Sequence, residues 1–228
     1  MPKEVHSGSY SYRDTDPSRR GTLSRTWENV YRTKSGLPLE ESTKEGDSFV
    51  PSEKHLAYLS AFENLGFFDD MPTDPKILQA GLGHGKTLRT MVEHVANSKP
   101  IGIDISHTAL THAQGETGIG SVVQGDILAL PFADNSIDRV FEVGVVEHLY
   151  ASDPFDQEVV DRKGVVDSFK ELHRTLKKGG KAGFIQPSRH SVASLQKKVA
   201  QLRGTWDMGF QEDFALTEFN QLLHIAGF

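Results

Sequence analysis

Gly81-Leu82-Gly83-His84-Gly85 follows a short apolar run and precedes Lys86-Thr87, and carboxylates recur after it at Asp104, Asp126, Glu142 and Glu147, the last beside His148. Glycines at this density let the chain turn tightly and bring backbone N–H groups against a phosphate or a nucleoside. Carboxylates at strand ends accept hydrogen bonds from ribose hydroxyls or an exocyclic amine. A histidine that titrates near neutral pH adds acid-base chemistry.

Three ligands compete for such a loop. A dinucleotide fingerprint G-x-G-x-x-G needs its third glycine where this chain has Lys86. A P-loop fits the window Ala80–Thr87 in relaxed form, ending in Gly85-Lys86-Thr87, but the strand that should supply the magnesium carboxylate offers only Glu142 after Val140-Phe141. S-adenosylmethionine is the reading that uses the later acids. Asp104, 23 residues after Gly81, is placed to hold the ribose, and Asp126 to meet the adenine amine, with Ile105, Ile127 and Leu128 against the ring.

The elements that must position these groups alternate. KILQA (76–80), PIGID (100–104), SVVQG (121–125), IDRVFEV (137–143) and KAGFIQ (181–186) read as strands. Between them, helical spacing places Leu88, Met91, Val92 and Val95 on one face, predicts a helix over 106–116, and predicts another over 164–178 that stops at Gly179-Gly180. Ser52 is expected to cap a helix carrying Tyr58, Leu59, Phe62 and Leu65, and Thr217 to cap a last helix that stops at Gly227. Alternating strands and helices imply a parallel sheet of the α/β class with ligands at the carboxyl ends of its strands.

The chain has 228 residues, 37% hydrophobic, a formal charge of −6 and no cysteine. These values exclude wholesale disorder, disulfide frameworks, cysteine-ligated zinc and cysteine nucleophiles, and show no general nucleic-acid footprint. No metal-ligand set, signal peptide or membrane-spanning run is legible, so a cytoplasmic protein with no membrane partner is expected. Residues 1–50 hold only 12 of the hydrophobic class and are expected to form a polar arm or lid, partly disordered, with the domain proper over 51–228. Trp27, Val30 and Tyr31, at i, i+3 and i+4, are expected to make one helical turn that docks on the body. The pairs Arg19-Arg20, Lys177-Lys178 and Lys197-Lys198 read as solvated faces, with Lys177-Lys178 at a helix C-terminus.

Four ordered segments, ILQAGLGHGKT, GIDIS, GDILALPFADNSIDRVFEVGVVEHL and ELHRTLKKGGKAGFIQPS, resemble the motifs of class I S-adenosylmethionine-dependent methyltransferases over roughly residues 51–228. The resemblance implies a Rossmann-like, doubly wound, mostly parallel sheet and S-adenosylmethionine as cofactor. It assigns Gly81, Leu82, Gly83 and Gly85 to the loop beneath the methionine part, Asp104 and Ile105 to the ribose side, Asp126 and Ile127 to the adenine, and Val143 with Glu142 and Gly144 to the methyl-transfer end. Gln79 stands where the family usually has an acid, which lowers the expected affinity for the cofactor ammonium by about 1 kcal/mol. The family's last two strands are missing after TEFNQLLHIAGF, which points to a piece of a longer chain or to an exposed edge that pairing in a homodimer would cover.

Methyl transfer is an in-line displacement, and the acid-base candidates beside its site are His148 and Glu142. The family draws acceptor contacts from the N-terminal segment and from insertions, here 151–163 and 187–215, so Trp27, Tyr31, Trp206 and Phe210 are the expected acceptor-pocket residues and a small molecule the expected acceptor. The alternative is a non-catalytic nucleoside- or partner-binding module of the same fold.

Overall fold

Apolar side chains on the central strands alternate between two faces, and this alternation sets the layers. The computed structural model describes residues 27–28, 30–32, 50–152, 158–160, 162–205 and 211–228. In strand β1 (Lys76–Ala80), Ile77 packs with Phe62, Leu88, Met91 and Phe141, whereas Leu78 and Ala80 pack with Ile103, Val140, Phe169 and Leu172. Strand β4 (Ile137–Val143) divides in the same way, Val140 to one side and Phe141 to the other. Both strands are buried along almost their whole length, as central strands of a parallel sheet covered on both faces must be.

The elements run α1 (Glu53–Asn64), β1, α2 (Lys86–His94), β2 (Lys99–Asp104), α3 (His107–Thr117), β3 (Val122–Gln124), β4, β5 (Tyr150–Ser152), β6 (Glu158–Val160), α4 (Arg162–Thr175), β7 (Leu176–Ile185), α5 (Val192–Leu202) and α6 (Leu216–Ala226). Five strands form one sheet in the order β3-β2-β1-β4-β7, and every pairing in it is parallel. The order reverses between β1 and β2 on one side and β4 on the other, so the crevice for a ligand opens at the carboxyl ends of those strands. β5 and β6 make a separate antiparallel pair inside the segment expected to be an insertion.

Two expected boundaries move. The helix read over 164–178 ends at Thr175, because Ser136 N–H donates to Thr175 O at 2.8 Å and Leu176 is already paired with Ile137. A register shift between Ile137 and Arg139 absorbs the Gly-Gly pair, with Gly179 at φ 77°, so these glycines belong to a bulged strand and not to a helix stop. Lys177 stands in this strand, two residues past the helix end, and its Nζ donates to Asp138 at 2.8 Å. The last helix starts at Leu216, with Phe219 N–H donating to Ala215 O at 3.0 Å, which puts Thr217 inside the first turn instead of at the cap. Ser52 does precede α1, but its hydroxyl is engaged with His55 Nδ1 at 2.7 Å.

Arg139, fully buried on β4, donates to the carbonyls of Phe67, Asp69 and Asp138. Its guanidinium thereby fastens the loop after α1 to the middle of the sheet, satisfying a buried charge with main-chain oxygens.

Candidate functional site

β1 ends at Ala80 and the chain turns through Gly81, Gly83 and Gly85, all with positive φ (70°, 55° and 74°). A Cβ on Gly81 would lie 2.1 Å from Val145 Cγ2, so this position tolerates no side chain. Leu82 N–H donates to Ile103 O at 2.9 Å and its side chain packs against Gly102 in the core, which leaves its backbone for the loop. Asp104, at the end of β2, accepts from Gly83 N–H at 2.8 Å through one oxygen and from Ser106 N–H at 2.9 Å through the other. Burial raises its pKa despite these bonds.

Gln79 is buried on β1; its Nε2 donates to Gly81 O at 3.2 Å, while its Oε1 has no partner. An orphan acceptor beside the glycine turn fits a ligand's ammonium group, and a carboxylate pinned across the same turn fits a ribose diol. Asp126 Oδ1 accepts from Leu128 N–H at 2.9 Å, next to Ile127, which is buried, and it follows the strand paired with β2, whose end carries half-buried Ile105.

Glu142 and Val143 close β4. Glu142 has no exposed surface: its oxygens accept from Val146 N–H at 3.3 Å and from Gln186 Nε2, and burial, then the neighbouring Glu147, raises its pKa well above the carboxylate range. Its direct partners are thus protein groups, and it shapes the turn that carries His148. Glu147, also buried, has an Oε2 without a partner and is pushed up to about 8 by burial. His148 ends a single 3-10 turn (Val146–His148), with its Nε2 3.8 Å from Glu147 Oε1.

Residues 27–28 and 30–32 are helical, and they lie on this site. The Trp27 ring meets His148 edge-on at 4.8 Å and the Tyr31 ring meets His84 at 5.2 Å. Tyr31 Oη would lie 3.0 Å from a Cβ on Gly83, and its phenol is raised by burial and then by Asp104. Glu28 accepts from Ser106 Oγ at 2.9 Å, from Thr108 N–H at 3.3 Å and from the Thr108 hydroxyl, and these bonds, the hydroxyl of Thr108 first, lower its pKa to about 2. A carboxylate at the first turn of α3 also complements that helix's dipole. The structure therefore brings Trp27, Tyr31 and His148 together with the glycine turn and Asp104, whereas Trp206 and Phe210 lie outside the described residues. Sequence spacing gave no sign of Glu28, whose partners are 78 and 80 residues away.

Residues 78–184 match the methyltransferase domain family. This chain carries a class I methyltransferase domain. A protein of Encephalitozoon cuniculi described as a methyltransferase is 33% identical over 152 residues, which make up 66% of this chain and 61% of that protein. The chain thus spans about three fifths of that relative's length, 61%. Among solved structures, an S-adenosylmethionine-dependent methyltransferase of Thermotoga maritima superposes with a TM-score of 0.57 at 20% identity, covering 92% of this chain and 78% of the other. The [4+2]-cyclase SpnF superposes at 0.59 with 16% identity over 91% of this chain and 72% of its own. The methyltransferase domain's fold thus also houses a different activity, and chemistry has to be argued from side chains. The family's cosubstrate is S-adenosylmethionine, and the orphan Gln79 Oε1, the three-glycine turn and the Asp104 carboxylate are a donor-acceptor set that fits it. Among the described residues no helix is long and apolar enough to cross a membrane.

Proposed function

We propose that the chain transfers a methyl group from S-adenosylmethionine to a small-molecule acceptor. The observation that carries this reading is Asp104, buried and held by Gly83 and Ser106 at the mouth of a glycine turn whose neighbour Gln79 keeps an unpaired acceptor. Bound S-adenosylmethionine supplies an electrophilic methyl carbon on a sulfonium.

The chain's own residues do the rest. Asp104 and Gln79 fix the ligand's position, which matters because displacement depends on a reacting distance of about 3–3.5 Å. Trp27 and Tyr31 cover the turn and keep water from the site. His148 is the proton acceptor for the incoming nucleophile. Glu147, held protonated below about pH 8, does not draw His148 into an ion pair, which leaves the imidazole able to take a proton. Glu142 is a positioning residue that holds the Val146–His148 turn through Val146 N–H.

Calorimetric titration of the full chain with S-adenosylmethionine, ATP·Mg²⁺ and NAD tests the assignment. Heat with the first ligand alone, lost in Asp104→Ala, is expected. Undiminished binding by Asp104→Ala, or binding of ATP that depends on Lys86, would overturn it.

A further inference from the structure

Helix α5 (Val192–Leu202) is mounted with its polar side inward. Its buried residues are Ser194 and Lys197, while Val192, Leu195, Val199 and Leu202 are 74%, 64%, 39% and 89% exposed. At 3.6 residues per turn these four fall within an arc of about 80°, a narrow continuous stripe. A helix free to roll would turn that stripe toward the core.

It is held in place. Lys197 Nζ pairs with Asp213, both nearly buried, and donates to Gln211 O at 3.1 Å. At the other end Ser191 Oγ accepts from Ser194 N–H at 3.1 Å and donates to Ser188 O at 2.8 Å. Lys197, expected from sequence to be a solvated charge, is therefore the peg that fixes which face points out.

The rim of the stripe decides what it meets. Lys198 and Arg203, both exposed, stand on its opposite borders, and no carboxylate occurs between Ser188 and Thr205 in a chain whose overall charge is −6. Apolar side chains flanked by long cationic ones are the arrangement that lies in a lipid interface, stems in the acyl boundary and charges among anionic headgroups. A second copy fits poorly. An 11-residue helix is only about 16 Å long, too short for the ~800 Å² that a stable dimer buries per partner. A two-fold axis would also bring like charges together. A nucleic acid would leave the stripe uncovered.

We propose that helix α5 is a docking surface for an anionic lipid interface. It follows β7 beyond Gln186 and Pro187, at the carboxyl end of the sheet where the site opens, so docking sets that mouth near the bilayer surface. The proposal does not depend on methyl transfer.

The test is flotation of the full chain with vesicles of phosphatidylcholine containing about 30% phosphatidylserine, against pure phosphatidylcholine. Salt-sensitive binding to the anionic vesicles is expected, at least about tenfold weaker in Leu195→Asp/Leu202→Asp and in Lys198→Glu/Arg203→Glu. All four side chains are exposed, and thermal melting of the variants checks that they fold. No binding of the wild-type chain, or equal binding by the leucine variant, overturns the proposal. So does sedimentation showing a wild-type dimer that the leucine variant breaks, which would assign the face to a protein.

Discussion

Glu147→Gln should change how stability depends on pH while leaving the fold intact. Glu147 is buried between Glu142, His148 and the Lys197–Asp213 pair, and burial pushes its carboxyl from 4.5 to about 8. Between those values the native chain holds a proton that the unfolded chain has released. Stability contributed by the neutral carboxyl is therefore present at low pH and lost as pH rises, by about 1.4 kcal/mol per pH unit. Glutamine has the same shape and no proton to lose. Burial, the larger cause, raises Glu142 in both chains, and the part due to Glu147 is lost in the variant, so the difference belongs to the coupled pair. From about pH 5.5 to about pH 7.5 the variant should gain about 3 kcal/mol on the wild type, or roughly 5–10 °C in melting temperature. Urea unfolding of both proteins across this range measures the difference directly. Parallel stability curves would show that Glu147 is ionised in the native state, and the argument that it makes no ion pair with His148 would fall with it.

Two further outcomes follow from the geometry. Glu28→Ala removes the acceptor of three hydrogen bonds at the first turn of α3, and should speed release of S-adenosylmethionine about tenfold in stopped-flow measurements without lowering the melting temperature of the domain. An unchanged release rate would mean that residues 27–28 and 30–32 do not retain the ligand. Gly183→Ala would put a Cβ 2.1 Å from Phe62 Cε1, and should cost about 1–3 kcal/mol. Phe62→Leu, with no ring at that point, should recover part of the loss in a double-mutant cycle, and strict additivity would refute the clash.

What the sequence discloses is whatever is local in it. β1 and β4 could be bounded to the residue, since short apolar runs between breakers have few other folds open to them. The glycine turn and Asp104 were legible for the same reason. The helix end at Thr175 was not, because Leu176 continues the helical spacing of Val165, Phe169 and Leu172 while its actual burial comes from the strand beside Ile137. Glu28 on Thr108 and Lys197 on Asp213 join residues that no period connects. The charged pair Lys197-Lys198 splits, one side chain buried and one exposed, a division that depends on the angle of one helix against the body.

Ser106 is shared by two structures. Its N–H binds Asp104, its hydroxyl donates to Glu28, and the same oxygen accepts from Ala109 N–H to start α3. In the proposed reading, with the ribose on Asp104, the seating of residues 27–28 and 30–32 and the binding of the nucleoside are thus not independent free energies. Both rest on Ser106, and linkage requires any effect between them to be mutual: by whatever factor the seated segment tightens the nucleoside, the bound nucleoside tightens the segment.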